Sequence, residues 1–163
     1  MSELQIRRAR REDAPAVHCL LLELAEALGK SKDIHSTVAD IEHFGFGPQP
    51  RFEAVIAWAG ARAVGLAVFF YEFSTWRGQP GVYVQDLYVH PGQRGQGLGR
   101  ALIEAVRERA AEWGGRYVKL TVYDRNPAAL AFYHGLGFES CEDELPLVWR
   151  DSISPDAIED SAS

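Results

Sequence analysis

Cysteine is scarce in this chain of 163 residues, and its scarcity excludes two kinds of site. Cys19 and Cys141 are the only cysteines, they lie far apart in sequence, and no C-x-x-C spacing occurs. A disulfide framework would be denser, and a cysteine-based metal or redox site needs paired thiols. The five histidines also show no metal-binding spacing. We therefore expect a reducing, cytoplasmic environment and no bound metal.

Long apolar runs and basic clusters are also absent. The longest apolar stretch, residues 63–71, is far too short to span a bilayer, and the first residues contain no apolar signal segment. Lys and Arg are dispersed and are not interleaved with aromatic residues, as a nucleic-acid-binding surface would require. We therefore expect a soluble protein that is not secreted and has no membrane or nucleic-acid partner.

The chain has the length and the apolar content of one domain. Hydrophobic residues make up 47% of the sequence, which is enough to form a core. The net charge is −6, but four acidic residues and no Lys or Arg lie within residues 151–163. We predict a single domain over residues 1–150 and an acidic, flexible tail over residues 151–163.

The spacing of apolar residues predicts an α/β protein. Helical spacing and capping residues predict helices between Pro15 and Gly29, near residues 37–43, over residues 97–113 and from Asn126 to Gly135. Strand-like segments occur at residues 4–8, 52–58, 63–73, 82–89, 117–123, 138–141 and 145–150. The second, third and fourth of these strands should form an antiparallel meander. A helix joins the fourth and fifth strands, which should therefore run parallel.

A glycine-rich turn is the most informative feature of the sequence. It reads Arg94-Gly95-Gln96-Gly97-Leu98-Gly99, follows the fourth strand and opens the third helix. Glycines carry no Cβ, so consecutive backbone N–H groups can approach an anion closely, and the positive end of the helix dipole adds to the attraction. The turn therefore predicts a phosphate-binding site, and a pyrophosphate is the expected ligand.

Spacing disfavours two common phosphate-binding motifs. A dinucleotide-binding turn has the pattern G-x-G-x-x-G, but counted from Gly95 the third glycine position is Arg100. A P-loop needs Gly-Lys followed by Ser or Thr, and the chain contains no such tripeptide. The remaining pattern is R-x-x-G-x-G after a strand that ends in His90-Pro91.

A second motif occupies residues 126–138 and predicts a short, capped helix. Asn126 suits the N-cap, Pro127 suits the first helical position, and Gly135 with Gly137 can end the helix. Asn126 and Tyr133 are seven residues apart, about two helical turns, so they share one face. That face is free to meet a ligand.

Together, the two motifs resemble those of the GNAT superfamily of N-acetyltransferases. That superfamily binds the pyrophosphate of acetyl-coenzyme A at a Q/R-x-x-G-x-G/A turn, and its second signature, N-x-x-A-x-x-F-Y-x-x-x-G-F, is matched throughout. The resemblance implies a single-domain GNAT-like fold with a mixed sheet of about six to seven strands and about four helices. It also implies acetyl-coenzyme A as cosubstrate, held by Leu87, Tyr88, Val89, Arg94, Gly95, Gln96, Gly97, Leu98, Gly99, Arg100, Asn126 and Tyr133.

Acetyl transfer to an amine requires two proton movements. An aliphatic amine is mostly protonated at pH 7, so a group must accept a proton before nitrogen attacks the acetyl carbonyl. Asp86 is the first candidate to bind the ammonium or accept its proton; the alternative is a solvated or structurally paired strand carboxylate. Tyr133 is the candidate acid that protonates the departing thiolate, and the alternative is a packed aromatic side chain. No covalent enzyme intermediate is needed.

The resemblance extends to one branch of the superfamily. Residues 23–26, 44–47, 71–78 and 84–89 are similar to the diamine acetyltransferases that modify spermidine, spermine or thialysine. The similarity implies a small primary amine as acceptor, either a polyamine, a diamine or an amino-acid-like molecule. It also implies a homodimer.

The amine-binding residues are expected near the fourth strand. Gln85 and Asp86 stand where that branch commonly has Glu-Asp, and Trp76 and Glu72 are expected to line the same pocket. Two other functions remain open: a non-catalytic sensor of acetyl-coenzyme A, for which Gln85 is the support, and an acetyltransferase of protein N-termini or lysines.

Overall fold

A computed structural model describes residues 3–141 and 146–150. Within these residues the backbone forms one five-stranded sheet and four α-helices. The elements in chain order are β1 (Leu4–Arg8), α1 (Ala14–Ala27), α2 (Val38–Phe46), β2 (Glu53–Ala59), β3 (Arg62–Ser74), β4 (Gln79–Val89), α3 (Leu98–Glu112), β5 (Val118–Leu120) and α4 (Pro127–Gly135). Short 3-10 turns precede α1 and follow β4.

The chain divides into two compact units, Met1–Thr121 and Val122–Ser163. The first unit contains the whole sheet together with α1, α2 and α3. The described part of the second unit contains α4 and the residues that follow it.

The sheet has the strand order β1-β2-β3-β4-β5. The first four strands pair antiparallel, and β5 pairs parallel to β4, so the predicted meander and the predicted parallel pair are both confirmed. The ladder between β4 and β5 is short, because it covers only Val82 to Val84 against Val118 to Leu120. Beyond Val84, β4 continues for five residues beside β3 alone.

Apolar side chains cover both faces of the sheet. Val17 and Leu20 of α1 are buried against Ile56 and Leu66 of β2 and β3. The other face packs against α3, whose apolar stripe is fully buried at Leu102, Ile103 and Val106. Below, the face that α1 and α2 cover is called the α1 face.

The predicted count of six to seven strands is wrong, since the described sheet has five. Residues 138–141 and 146–150 form no strand, and Leu145 and the predicted tail, residues 151–163, lie outside the described residues. Apolar alternation measures only the tendency of a segment to extend, whereas a strand also needs a neighbour that supplies ladder hydrogen bonds. The α/β class and the four helices are confirmed.

Candidate active site

The glycine-rich turn has the open backbone that its sequence predicts. Gly95 and Gly97 have φ angles of 76° and 78°, in the left-handed region that side chains with a Cβ rarely adopt. A Cβ at either position would meet no protein atom within 4 Å. The backbone conformation therefore favours glycine, and the space in front of the turn is open to a ligand.

The first turn of α3 is electrostatically prepared for an anion. Gly97 occupies the N-cap, and no side chain caps the free N–H groups of the helix. The first turn also contains no acidic residue, and Arg100 within it forms no ion pair with a described residue. A cation at a helix N-terminus opposes the helix dipole, so this arrangement becomes favourable when an anion binds there.

Hydrogen bonds attach the turn to the end of β4. The Nε of Arg94 donates to the carbonyl oxygen of Val89 at 2.9 Å. The N–H of Gly92 donates to Nδ1 of His90 at 3.2 Å. The first residue of the glycine-rich turn is thus held to the end of β4, and the 3-10 turn before it is held to His90.

A β-bulge at Gln85 decides which way Asp86 points. Val68 of β3 pairs with Asp86, whereas Phe69, the next residue, pairs with Val84, so β4 has one extra residue. Opposed residues on antiparallel strands project to the same face, and Val68 lies on the α1 face. Asp86 therefore also lies on the α1 face, while Gln85 is the exposed bulge residue.

Asp86 is a half-buried carboxylate that lacks a cation. It forms no hydrogen bond or ion pair with any residue in the described part of the chain. Burial raises the pKa of Asp86 because the charged form loses hydration. A carboxylate in this state is a better proton acceptor, and it gains stabilisation when a cationic ligand binds.

The free edge of β4 is formed by Leu87 and Val89. The N–H of His90 donates to the Val64 carbonyl on β3, so alternation directs the backbone groups of Leu87 and Val89 to the other edge. The carbonyl of Val89 accordingly accepts from Arg94 on that side. Since the ladder to β5 ends at Val84, these peptide groups have no strand neighbour in that ladder.

The side chain of Tyr88 is buried, and the same alternation directs its backbone groups toward β3 and away from the free edge. The ring packs in the core of the α1 face, and its hydroxyl donates to Glu23 on α1 at 3.0 Å. Glu23 was not among the predicted site residues, although it lies in a segment that resembles the diamine acetyltransferases. Through this hydrogen bond, Glu23 contacts a side chain on the same sheet face as Asp86.

Glu72 shares the α1 face with Asp86, and an aromatic pair lies between them. Phe70 pairs with Tyr83, and their rings stack with centroids 5.1 Å apart. Burial raises the pKa of Tyr117, and a hydrogen bond from its hydroxyl to Glu72 raises it further. Glu72 lies four positions along β3 from Val68, the pairing partner of Asp86, a span of about 13 Å.

Trp76 lies apart from this row of side chains. It is fully exposed at the tip of the β3–β4 hairpin. Asp86 lies seven positions beyond Gln79, the first residue of β4, which is a span of about 20 Å. The structure therefore does not bring Trp76 and Asp86 together within one chain.

In the second unit, Asn126 and Tyr133 occupy the two ends of α4. The side-chain oxygen of Asn126 accepts from the N–H of Ala129 at 3.1 Å, which confirms the predicted N-cap. The Tyr133 ring meets Phe132 and Phe138 edge-on, and burial raises its pKa to about 12. A phenol with this pKa stays protonated at neutral pH. Its hydroxyl forms no hydrogen bond with the described residues, so it is available as a donor.

Three further features complete the description of the surface. A groove of about 450 Å³ runs between α3 and β1, and Gly97 and Arg100 lie in its lining. Among residues 3–141 and 146–150, no three His, Cys, Asp or Glu side chains come together as metal ligands. None of the described helices combines the length and the apolar character of a membrane span.

Comparison with solved structures establishes the class of fold. An aminoglycoside acetyltransferase from an uncultured soil metagenomic sample, in complex with sisomicin, superposes with a TM-score of 0.77 at 20% identity, over 90% of this chain and 95% of that one. An aminoglycoside N-acetyltransferase in complex with CoA gives a TM-score of 0.74 at 24% identity, over 93% and 96%. At these identities the likeness shows the fold of an α/β acetyltransferase and nothing finer.

Sequence comparison then supplies the family. The chain belongs to the acetyltransferase (GNAT) family, whose model matches residues 17–138. Thialysine N-epsilon-acetyltransferase of Bos taurus is 32% identical over 145 residues, which are 84% of this chain and 85% of the relative. Spermidine/spermine N(1)-acetyltransferase-like protein 1 of Homo sapiens is 28% identical over 144 residues, covering 84% of this chain and 21% of the relative. The predicted resemblance to the diamine acetyltransferase branch, and with it an N-acetyltransferase enzyme, is confirmed.

Proposed function

We propose that this enzyme moves an acetyl group from acetyl-coenzyme A to the primary amine of a small polyamine, diamine or amino-acid-like molecule. The observation that carries the proposal is the open glycine turn at the uncapped start of α3, joined directly to the free edge of β4. The cosubstrate supplies an activated thioester. The residues of the chain bind it, orient the amine and move protons.

The turn is the proposed grip on the pyrophosphate. The N–H groups of residues 95–100 donate to phosphate oxygens, and Arg100 adds positive charge within the same helical turn. The peptide groups of Leu87 and Val89 hydrogen-bond to the amide groups of the pantetheine arm, much as a neighbouring strand would. A Cβ at Gly95 or Gly97 would intrude on the space that this proposal assigns to the phosphates.

Asp86 is the proposed partner of the amine. Its carboxylate is half-buried without a cation, so an ammonium group that binds there replaces part of the hydration that burial removed. The raised pKa also favours transfer of the ammonium proton to Asp86 and onward to water. The nitrogen is then uncharged and forms its bond to the acetyl carbon, after which it loses a second proton to water as the amide forms.

Tyr133 is the proposed acid for the leaving group. When the bond between carbon and sulfur breaks, the electron pair stays on sulfur, and the Tyr133 hydroxyl donates a proton to it. A pKa of about 12 keeps this phenol protonated across the physiological range. The phenolate then recovers a proton from solvent, which closes the cycle without a covalent enzyme intermediate.

Charge and aromatic surface on the α1 face favour a small cationic acceptor. The row formed by Asp86, the Phe70–Tyr83 pair and Glu72 offers a carboxylate at each end and aromatic faces between them. Ammonium groups bind to carboxylates and to aromatic faces, and methylene chains pack against aromatic rings. We also propose that the protein is cytoplasmic, which the free cysteines Cys19 and Cys141 support. The resemblance to the diamine acetyltransferases supports the further proposal of a homodimer.

A panel of amines tests the proposal. The full chain is incubated with acetyl-coenzyme A and spermidine, spermine, thialysine, ornithine or peptides with free N-termini and lysines. Released thiol and the mass of the product are measured. We expect acetylation of at least one small amine above background. Acetylation of peptides alone would favour a protein acetyltransferase, and cofactor binding with no product would favour a sensor.

A further inference from the structure

The imidazole ring of His90 contacts two parts of the first unit. Its Nδ1 accepts a hydrogen bond from the N–H of Gly92 at 3.2 Å. Its Nε2 lies 3.0 Å from a guanidinium nitrogen of Arg62 at the start of β3. The ring therefore lies between the β2–β3 hairpin and the 3-10 turn, Pro91–Gln93, that leads into the glycine turn.

The protonation of this ring decides which hydrogen bonds it can accept. A neutral imidazole has one N–H and one lone pair, and both of its neighbours here are donors, so it accepts only one hydrogen bond. That bond is the one from the Gly92 N–H to Nδ1, which leaves the N–H on Nε2 beside Arg62. A protonated imidazole has no lone pair and accepts neither. It also places a positive charge beside Arg62, and neither residue forms an ion pair with a carboxylate in the described ranges. Protonation therefore breaks the hydrogen bond from the Gly92 N–H to His90.

Further hydrogen bonds connect Gly92 to the start of the glycine turn. Gly92 is held by His90, and the N–H groups of Gln93 and Arg94 then donate to the carbonyls of His90 and Pro91 at 2.8 and 3.3 Å. The side chain of Arg94, the residue immediately before Gly95, donates to the carbonyl of Val89. A turn that is ordered before binding loses less conformational freedom when the ligand arrives.

We infer that His90, in its uncharged form, is a positioning residue for the glycine turn, and that protonation of its ring weakens cofactor binding. The inference rests on the proposed binding of coenzyme A at this turn. His90 acts through Gly92 and touches neither the cofactor nor the reacting atoms.

Calorimetric titration with coenzyme A tests the inference on the full chain at about pH 7.5 and about pH 5.5. His90→Ala removes the acceptor, whereas His90→Asn keeps an oxygen that can accept from Gly92 and does not titrate. At the higher pH, we expect the alanine variant to bind roughly three- to tenfold more weakly, the worth of one net hydrogen bond, and the asparagine variant to bind like the wild type. At the lower pH, the wild type should weaken by a similar factor relative to the asparagine variant. Protonation of the ligand phosphates affects these two proteins equally, so the ratio of their dissociation constants reports only the effect of protonating the His90 ring.

Two further variants separate positioning from a purely structural role. Arg62→Gln removes the cation beside the ring and makes its protonation easier, so the loss of affinity should begin at a higher pH. His43→Asn alters an exposed histidine on α2 and should change nothing. If the asparagine variant binds as weakly as the alanine variant, or if the wild type and the asparagine variant show the same pH dependence, the inference is wrong. If the wild type fails to bind coenzyme A at either pH, the proposed function fails instead.

Discussion

Replacing Gly97 with alanine should reduce cofactor affinity far more than folding stability. Gly97 has a left-handed backbone with φ 78° and ψ 8°, which costs a residue with a Cβ about 1–2 kcal/mol. No protein atom lies within 4 Å of that Cβ, so no clash adds to this cost. The melting temperature should therefore fall by about 2–8 °C. Losing one charge-assisted hydrogen bond to a phosphate costs about 1.5–3 kcal/mol, which weakens coenzyme A binding by about 10- to 150-fold.

Gly114 supplies a matched control at the other end of the same helix. Its φ is 82°, a Cβ there also meets nothing within 4 Å, and α3, which is about 22 Å long, separates it from Gly97. Gly114→Ala should lower the melting temperature by the same amount and leave the affinity unchanged in calorimetric titration. Equal affinities for the two variants would refute the assignment of the turn as the pyrophosphate site.

Two substitutions test the catalytic roles. Tyr133→Phe should lower kcat by about 100-fold while the dissociation constant of coenzyme A stays the same, because the phenol acts on the leaving group; an unchanged kcat in steady-state assays would remove the proposed acid. Asp86→Asn should raise the KM for the amine by about tenfold, since an ionic hydrogen bond is lost, and an unchanged KM would contradict the role of Asp86. The same variant should melt at a higher temperature than the wild type at neutral pH. Burial raises the pKa of Asp86 above its value in the unfolded chain, so ionisation destabilises the fold as the pH rises; the difference should vanish below about pH 4, and equal melting at all pH values would contradict this explanation.

Local sequence signals predict the helices and the turn well. Asn126 caps α4 as expected, and Gly97 begins α3, because capping and left-handed turns depend on a few neighbouring residues. The strands are predicted less well. The segment at residues 117–123 forms a strand only over Val118–Leu120, because its ladder with β4 ends at Val84, just before the bulge at Gln85.

Contacts between distant segments account for what the sequence does not reveal about the site. The bulge at Gln85 is visible only when β4 is counted against β3, yet it decides the face on which Asp86 lies. The hydrogen bond from Tyr88 to Glu23 and the contact between Arg62 and His90 join residues that are 65 and 28 positions apart. No periodicity or motif in a single sequence encodes such pairs.

Amide chemical shifts measured during a titration with coenzyme A test the central claim most directly. The account predicts that the largest changes occur at the N–H groups of residues 95–100 and at Leu87 and Val89. Saturable changes confined to other parts of the chain, with these amides unmoved, would contradict it.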